Sequence, residues 1–131
     1  MSMNTQKKTI LILEDEQPLL EVIQDKIETE GFNTVSARSV DQALDYLKNG
    51  VKIDAVWLDH YVFGKESGLD FVTTLKKEGS LWKHLPIFVV SNTVSPEKVQ
   101  TYIKLGVQKC YAKVDFRLDT IVDDIKEFFK K

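Results

Sequence analysis

The sequence of 131 residues holds one cysteine, three prolines and six glycines. A single thiol cannot close an internal disulfide, and no second cysteine or histidine stands at a spacing that would complete a zinc site. Cys110, inside an apolar stretch, is therefore expected to be a packing residue. Long hydrophobic runs are also missing: stretches such as 10–13 and 87–90 fall far below the roughly 18 residues that a membrane span requires. The polar residues 1–8 lack the apolar stretch of a signal peptide. Nor is there an excess of one charge. Eighteen basic against twenty acidic residues give a formal net charge of −2 with no long block of either sign, which offers no footing for nucleic acid or an anionic membrane. The expectation is a soluble, cytoplasmic protein with neither kind of partner. Without a low-complexity segment or a linker, the chain reads as one domain over 1–131 with its core at about 8–130.

What is present is an alternation, repeated five times, of short apolar runs with stretches of helical period. Strands are expected at 9–13, 32–37, 53–58, 86–90 and 107–112. The first helix, 18–30, carries Leu19, Leu20, Ile23 and Ile27 on one face and ends at Gly31. The second has Ser39 as N-cap and Gln42 completing a capping box, turns Val40, Ala43, Leu44 and Leu47 inward, and stops at Gly50. The third, 68–78, bears Leu69, Val72 and Leu75. Ser95-Pro96-Glu97 opens the fourth, with a capping serine and proline at the first helical position, and Gly106 closes it. The last, from about 116 to 130, lines up Ile121, Val122, Ile125, Phe128 and Phe129, with lysines at its C-terminal end. Strands joined by helical crossovers run parallel. The expected fold is thus a doubly wound α/β sheet, (βα)₅, of flavodoxin-like strand order 2-1-3-4-5. In that order the chain reverses direction across the sheet between the first and third strands, and ligands bind outside the strand ends there.

Polar residues cluster at those ends. Glu14-Asp15-Glu16 follows the first strand and Asp59 the third, while the fourth ends at Ser91 and the fifth at Lys113. Like charges about 5 Å apart repel by roughly 3 kcal/mol per pair at an effective dielectric near 20, so three carboxylates converge only with compensation. A divalent cation supplies it, and carboxylate, carbonyl and water ligands suit Mg²⁺ better than zinc. Glu14, Asp15 and Asp59 are the expected metal ligands, with Glu16 ranked below them. A lysine and a hydroxyl at the same rim add the requirements of a phosphoryl group, namely an in-line nucleophile and positive charge around its equatorial oxygens. Asp59 is the expected nucleophile, because carboxylates form aspartyl phosphates. Lys113 would neutralise one phosphoryl oxygen and Ser91 would hydrogen-bond another.

The segments Leu11-Ile-Leu-Glu14-Asp15-Glu16, Trp57-Leu-Asp59, Val89-Val-Ser91 and Lys113 resemble the acid pair, phospho-acceptor, hydroxyl and lysine of response-regulator receiver domains of the CheY-like kind. Asp15 precedes Asp59 by 44 residues and Ser91 precedes Lys113 by 22, and order and spacing together make the set specific. The resemblance implies phosphoryl transfer from a histidine kinase or histidine phosphotransfer protein. It further implies a switch involving Ser91, a downstream target protein, and a face of fourth helix, fifth strand and fifth helix that could also pair two copies. The only catalysis implied is self-phosphorylation and autodephosphorylation.

The sequence departs from the family at four points. The loop after Asp59 is one residue longer and lacks the usual proline, and the carbonyl of Tyr61 matches the family's backbone Mg²⁺ ligand. Asn92 stands where a small residue is usual, and Val114 replaces the proline after the lysine, so a trans peptide is expected there. Cys110 occupies the position of the switch aromatic, with Tyr111 beside it on the opposite face. A muted or rerouted switch follows. His60 and His84 are expected in surface or loop roles, Asp54 as a solvated edge charge and Trp57 in the core. The other readings are a phosphorylation-independent docking or dimerising scaffold, and a nucleotide or flavin binder. The acidic first loop, without the glycines and free amides that cradle phosphate, speaks against the last.

Overall fold

A computed structural model describes residues 7–60, 67–91, 95–113 and 116–130. Five strands, β1 (Thr9–Leu13), β2 (Asn33–Ala37), β3 (Ala55–Leu58), β4 (Ile87–Ser91) and β5 (Lys109–Ala112), alternate with five helices. The helices are α1 (Gln17–Thr29), α2 (Val40–Lys48), α3 (Gly68–Lys76), α4 (Pro96–Leu105) and α5 (Leu118–Phe129). All strand pairs are parallel, and the order is β2-β1-β3-β4-β5, as expected from the crossover argument.

Period-2 alternation divides the core. Leu11, Leu13, Val56, Leu58, Ile87 and Val89 pack on one face beneath α2, α3 and Tyr102 of α4. Ile10, Ile12, Ala55, Trp57, Phe88, Val90 and Tyr111 pack on the other beneath α1 and α5. Trp57 is a core residue, as expected. Burial of each large aliphatic side chain contributes roughly 1.5–3 kcal/mol, so these two layers, and not the surface ion pairs, hold the helices down. One surface network does tie α1 to α5: Lys26 meets Asp119 at 2.9 Å, and Lys126 meets Glu30 at 2.8 Å.

Several local readings need correction. Ser39 caps α2 by accepting from Gln42 N–H at 3.2 Å, but the Gln42 side chain accepts from Arg38 N–H at 2.8 Å and not from the cap residue itself. The complete capping box belongs to α3, where the Ser67 side chain accepts from Asp70 N–H and Asp70 accepts from Ser67 N–H at 2.8 Å. Asp54 is not a solvated edge charge: its carboxylate is 14% exposed and accepts from Thr9 N–H at 2.8 Å, fastening the start of β1. The fifth strand begins at Lys109 and the last helix at Leu118, two residues later than expected in each case. Phe116 lies outside that helix, its ring edge on to Tyr111 at 5.1 Å.

The junction of β3, α3 and α4 positions the strand ends. Gly68 N–H donates to the His60 carbonyl at 2.9 Å. A Cβ on Gly68 would meet the Tyr102 hydroxyl at 2.9 Å, the Asp59 carbonyl at 3.0 Å and the His60 Cα at 3.1 Å, so any larger residue forces these neighbours to shift. Gly68→Ala is expected to lower stability by roughly 1–3 kcal/mol, read as a lower urea midpoint at unchanged slope. An unchanged midpoint would show that the junction yields without strain.

Candidate functional site

The backbone ladder runs one residue past β1, β3 and β5 and thereby holds Glu14, Asp59 and Lys113. Glu14 N–H donates to the Ala37 carbonyl at 3.0 Å, Asp59 N–H to the Leu13 carbonyl at 2.9 Å, and Lys113 N–H to the Ser91 carbonyl at 3.0 Å. Glu14 is 1% exposed, Ser91 1% and Asp59 7%, while Asp15 is half-buried. One carboxylate oxygen from each of Glu14, Asp15 and Asp59 lies within 4.8 Å of the others. The Ser91 hydroxyl donates to Asp59 Oδ1 at 3.2 Å. Lys113 Nζ donates to Glu14 Oε1 at 3.4 Å and to Asp59 Oδ2 at 3.5 Å. All five polar residues expected at the strand ends therefore converge on one rim. Glu16 does not join them; its side chain is exposed and its N–H donates to Glu14 Oε2 at 3.2 Å. Tyr61, Asn92 and Val114 lie outside the described residues.

Among the described residues, three carboxylates gather around the Lys113 ammonium, with the Arg38 guanidinium at the Asp15 carbonyl. Burial first, and then the neighbouring Asp59 carboxylate, push the Glu14 carboxyl up to about 7, against the pull of Lys113. Among the described residues, the candidate donors are all carboxylate oxygens, a set that fits a hard divalent cation. Arg38, which sequence reasoning missed, grips this acidic loop from the end of β2: its Nε and Nη2 donate to the Asp15 carbonyl at 3.1 and 2.7 Å. The only sequence signal was a cation one residue past the second strand.

His60 overturns its expected surface or loop role. It is 1% exposed, and its Nδ1 lies 2.6 Å from the Tyr102 hydroxyl. Alternation explains this, because the residue after Asp59 faces the α4 side of the sheet as Leu58 does. Burial, and then the Lys98 ammonium, hold the His60 imidazole below its usual range. His84 is exposed, as expected. Cys110 packs against the α2–α4 layer, and burial raises its thiol. Tyr111 faces the opposite layer and donates its hydroxyl to Asp124 at 2.7 Å, so the two neighbours do point to opposite faces.

The family model described as the response regulator receiver domain matches residues 10–126. A putative response regulator NtrX-like protein of Rickettsia conorii is 31% identical over 114 residues, covering 86% of this chain and 23% of that protein. This chain thus spans about a quarter of that relative's length. Among solved structures, a response regulator receiver protein from Pseudomonas putida superposes with a TM-score of 0.85 at 23% identity, covering 95% of this chain and 99% of that one. The Mn²⁺-bound form of response regulator Rcp1 gives 0.74 at 20% identity, covering 92% and 90%. At these identities the structures show a shared fold.

The raised Glu14 carboxyl has a pH signature. Between the ordinary carboxylate range and about 7, native Glu14 holds a proton that the unfolded chain has released, so its contribution to stability falls as pH rises through that window. Without Mg²⁺, Glu14→Gln is therefore expected to gain on wild type from about pH 5 to about pH 8, reaching roughly 1–3 kcal/mol. Other titrating groups cancel in the difference, and added Mg²⁺ should shrink or reverse it. Denaturation across the pH range reads it out; a difference independent of pH would contradict the geometry.

Proposed function

The chain belongs to the response regulator receiver domain family, and we propose that it accepts a phosphoryl group on Asp59 and signals through the resulting change in its surface. The observation that supports this reading best is the pairing on one carboxylate: Ser91 and Lys113 each donate to Asp59, at 3.2 and 3.5 Å. A carboxylate flanked by a hydroxyl and an ammonium, and set beside the further carboxylates of Glu14 and Asp15, suits a nucleophile whose product carries new negative oxygens.

In the proposed reaction an Asp59 oxygen attacks the phosphorus of a phosphohistidine in line, the new O–P bond forming as the N–P bond breaks. Its electron pair returns to the imidazole nitrogen of the donor. Lys113 turns from the carboxylates toward one phosphoryl oxygen, and Ser91 donates to another. Glu14, Asp15 and Asp59, with the Tyr61 carbonyl, are the residues that would hold Mg²⁺, which when bound supplies positive charge at a phosphoryl oxygen. Arg38 keeps the acidic loop in place through its grip on Asp15. Water hydrolysing the aspartyl phosphate resets the domain, and these two self-directed steps are all the catalysis proposed.

The proposed donors are a sensor histidine kinase or a histidine phosphotransfer protein, and the proposed recipient is a target protein docking on the face of α4, β5 and α5, where a second copy could also pair. The setting proposed is the cytoplasm; among the described residues, no helix is long and apolar enough to cross a membrane.

Incubation with Mg²⁺ and a small acyl-phosphate donor is expected to add one phosphoryl mass increment to wild type and none to Asp59→Asn. Lys113→Ala should slow the addition by roughly 10²-fold. Chelation of Mg²⁺ should abolish it. No increment in wild type would favour a phosphorylation-independent scaffold.

A further inference from the structure

His60 follows Asp59 directly, yet its side chain leaves the pocket and enters the layer beneath α4. Its ring stands edge-on to Tyr102, the centroids 5.6 Å apart and the planes at 86°. Lys98 Nζ lies 3.4 Å from His60 Nε2. An ammonium has only hydrogens to offer, so Nε2 accepts, the ring hydrogen sits on Nδ1, and Nδ1–H donates to the Tyr102 hydroxyl at 2.6 Å.

Tyr102 is the one fully buried side chain of α4, with Ile103 beside it 54% exposed. Among the described residues, Tyr102 is thus the main buried anchor of the helix, with Leu105 packed beside it at the helix end. The same hydroxyl stands over Gly68, where a Cβ would come within 2.9 Å. No slack separates the end of β3, the start of α3 and the middle of α4. Cys110, half-buried in the same layer, offers only a weak thiol donor.

We propose that the buried His60–Tyr102 hydrogen bond is the mechanical link that carries a displacement of Asp59 into α4. The inference rests on the reading of Asp59 as the phospho-acceptor. Addition of a group at the Asp59 carboxylate shifts the end of β3. His60 moves with its neighbour, and Tyr102 converts the movement into a shift of α4 because the packed junction admits discrete arrangements and no continuous give.

The test is beryllofluoride with Mg²⁺, followed by amide chemical shifts in wild type, in Tyr102→Phe, and in the double variant His60→Leu/Tyr102→Phe. The double variant removes both members of the pair and so avoids the unmatched His60 ring hydrogen that the single variant leaves. In wild type, shifts are expected at Glu14, Asp59 and throughout α4. In both variants beryllofluoride should bind within about threefold of wild-type affinity, while the α4 shifts fall by more than half. Undiminished α4 shifts in either folded variant would overturn the link and leave the phospho-acceptor reading standing. No binding in wild type would overturn that reading, and the link with it.

Discussion

Among the described residues, three carboxylates crowded at the ends of two adjacent buried strands form the constraint on which the rest of this structure depends. Glu14 and Asp59 are almost wholly buried, and Lys113 reaches both at 3.4 and 3.5 Å without matching their charge. Left alone, the cluster answers by raising the Glu14 carboxyl to about 7. A cation would answer more completely, because it offsets all three charges at once. The site is therefore under electrostatic tension that a bound cation would relieve, and the negative oxygens of a transferred phosphoryl group would raise the demand for that cation.

The sheet order makes the crowding possible. With β1 and β3 paired in parallel and β2 thrown to the outside, the chain leaves the two central strands in opposite lateral directions and opens a crevice at their ends. Ladder bonds beyond the strands then hold Glu14 and Asp59 by their backbone, and Arg38 holds the Asp15 carbonyl, so side-chain repulsion cannot simply splay the loops apart. Alternation does the sorting: at Asp59 and His60 one residue serves the pocket and the next serves the α4 layer, and at Cys110 and Tyr111 neighbours again part to opposite faces.

The sheet order and the polar rim were legible because both follow from short-range patterns: apolar runs, helical periods, and the identity of the residue after each strand. Contacts between residues distant in sequence were not. Asp54 reads as an edge charge until Thr9, 45 positions away, is seen to donate to it. Arg38 and the Asp15 carbonyl are 23 positions apart, and His60 and Tyr102 are 42 apart. His60 was half legible, since alternation past the strand end already turned it inward, but the identity of its partner required the crossing of α4. The capping boxes show the same limit at close range. Ser39 and Gln42 have the spacing of a box, yet Gln42 accepts from Arg38 N–H, whereas Ser67 and Asp70 close one fully.

The central claim is that cation and phosphoryl group share Asp59, so each must favour the other, and by thermodynamic reciprocity either can be used to read the coupling. Titration calorimetry of Mg²⁺ with and without beryllofluoride, on wild type and Asp59→Asn, measures this directly. The account predicts saturable binding of one ion to wild type, tightened at least about tenfold by beryllofluoride, with the tightening lost in Asp59→Asn. An affinity for Mg²⁺ that is the same with and without beryllofluoride, or binding that never saturates, would contradict it.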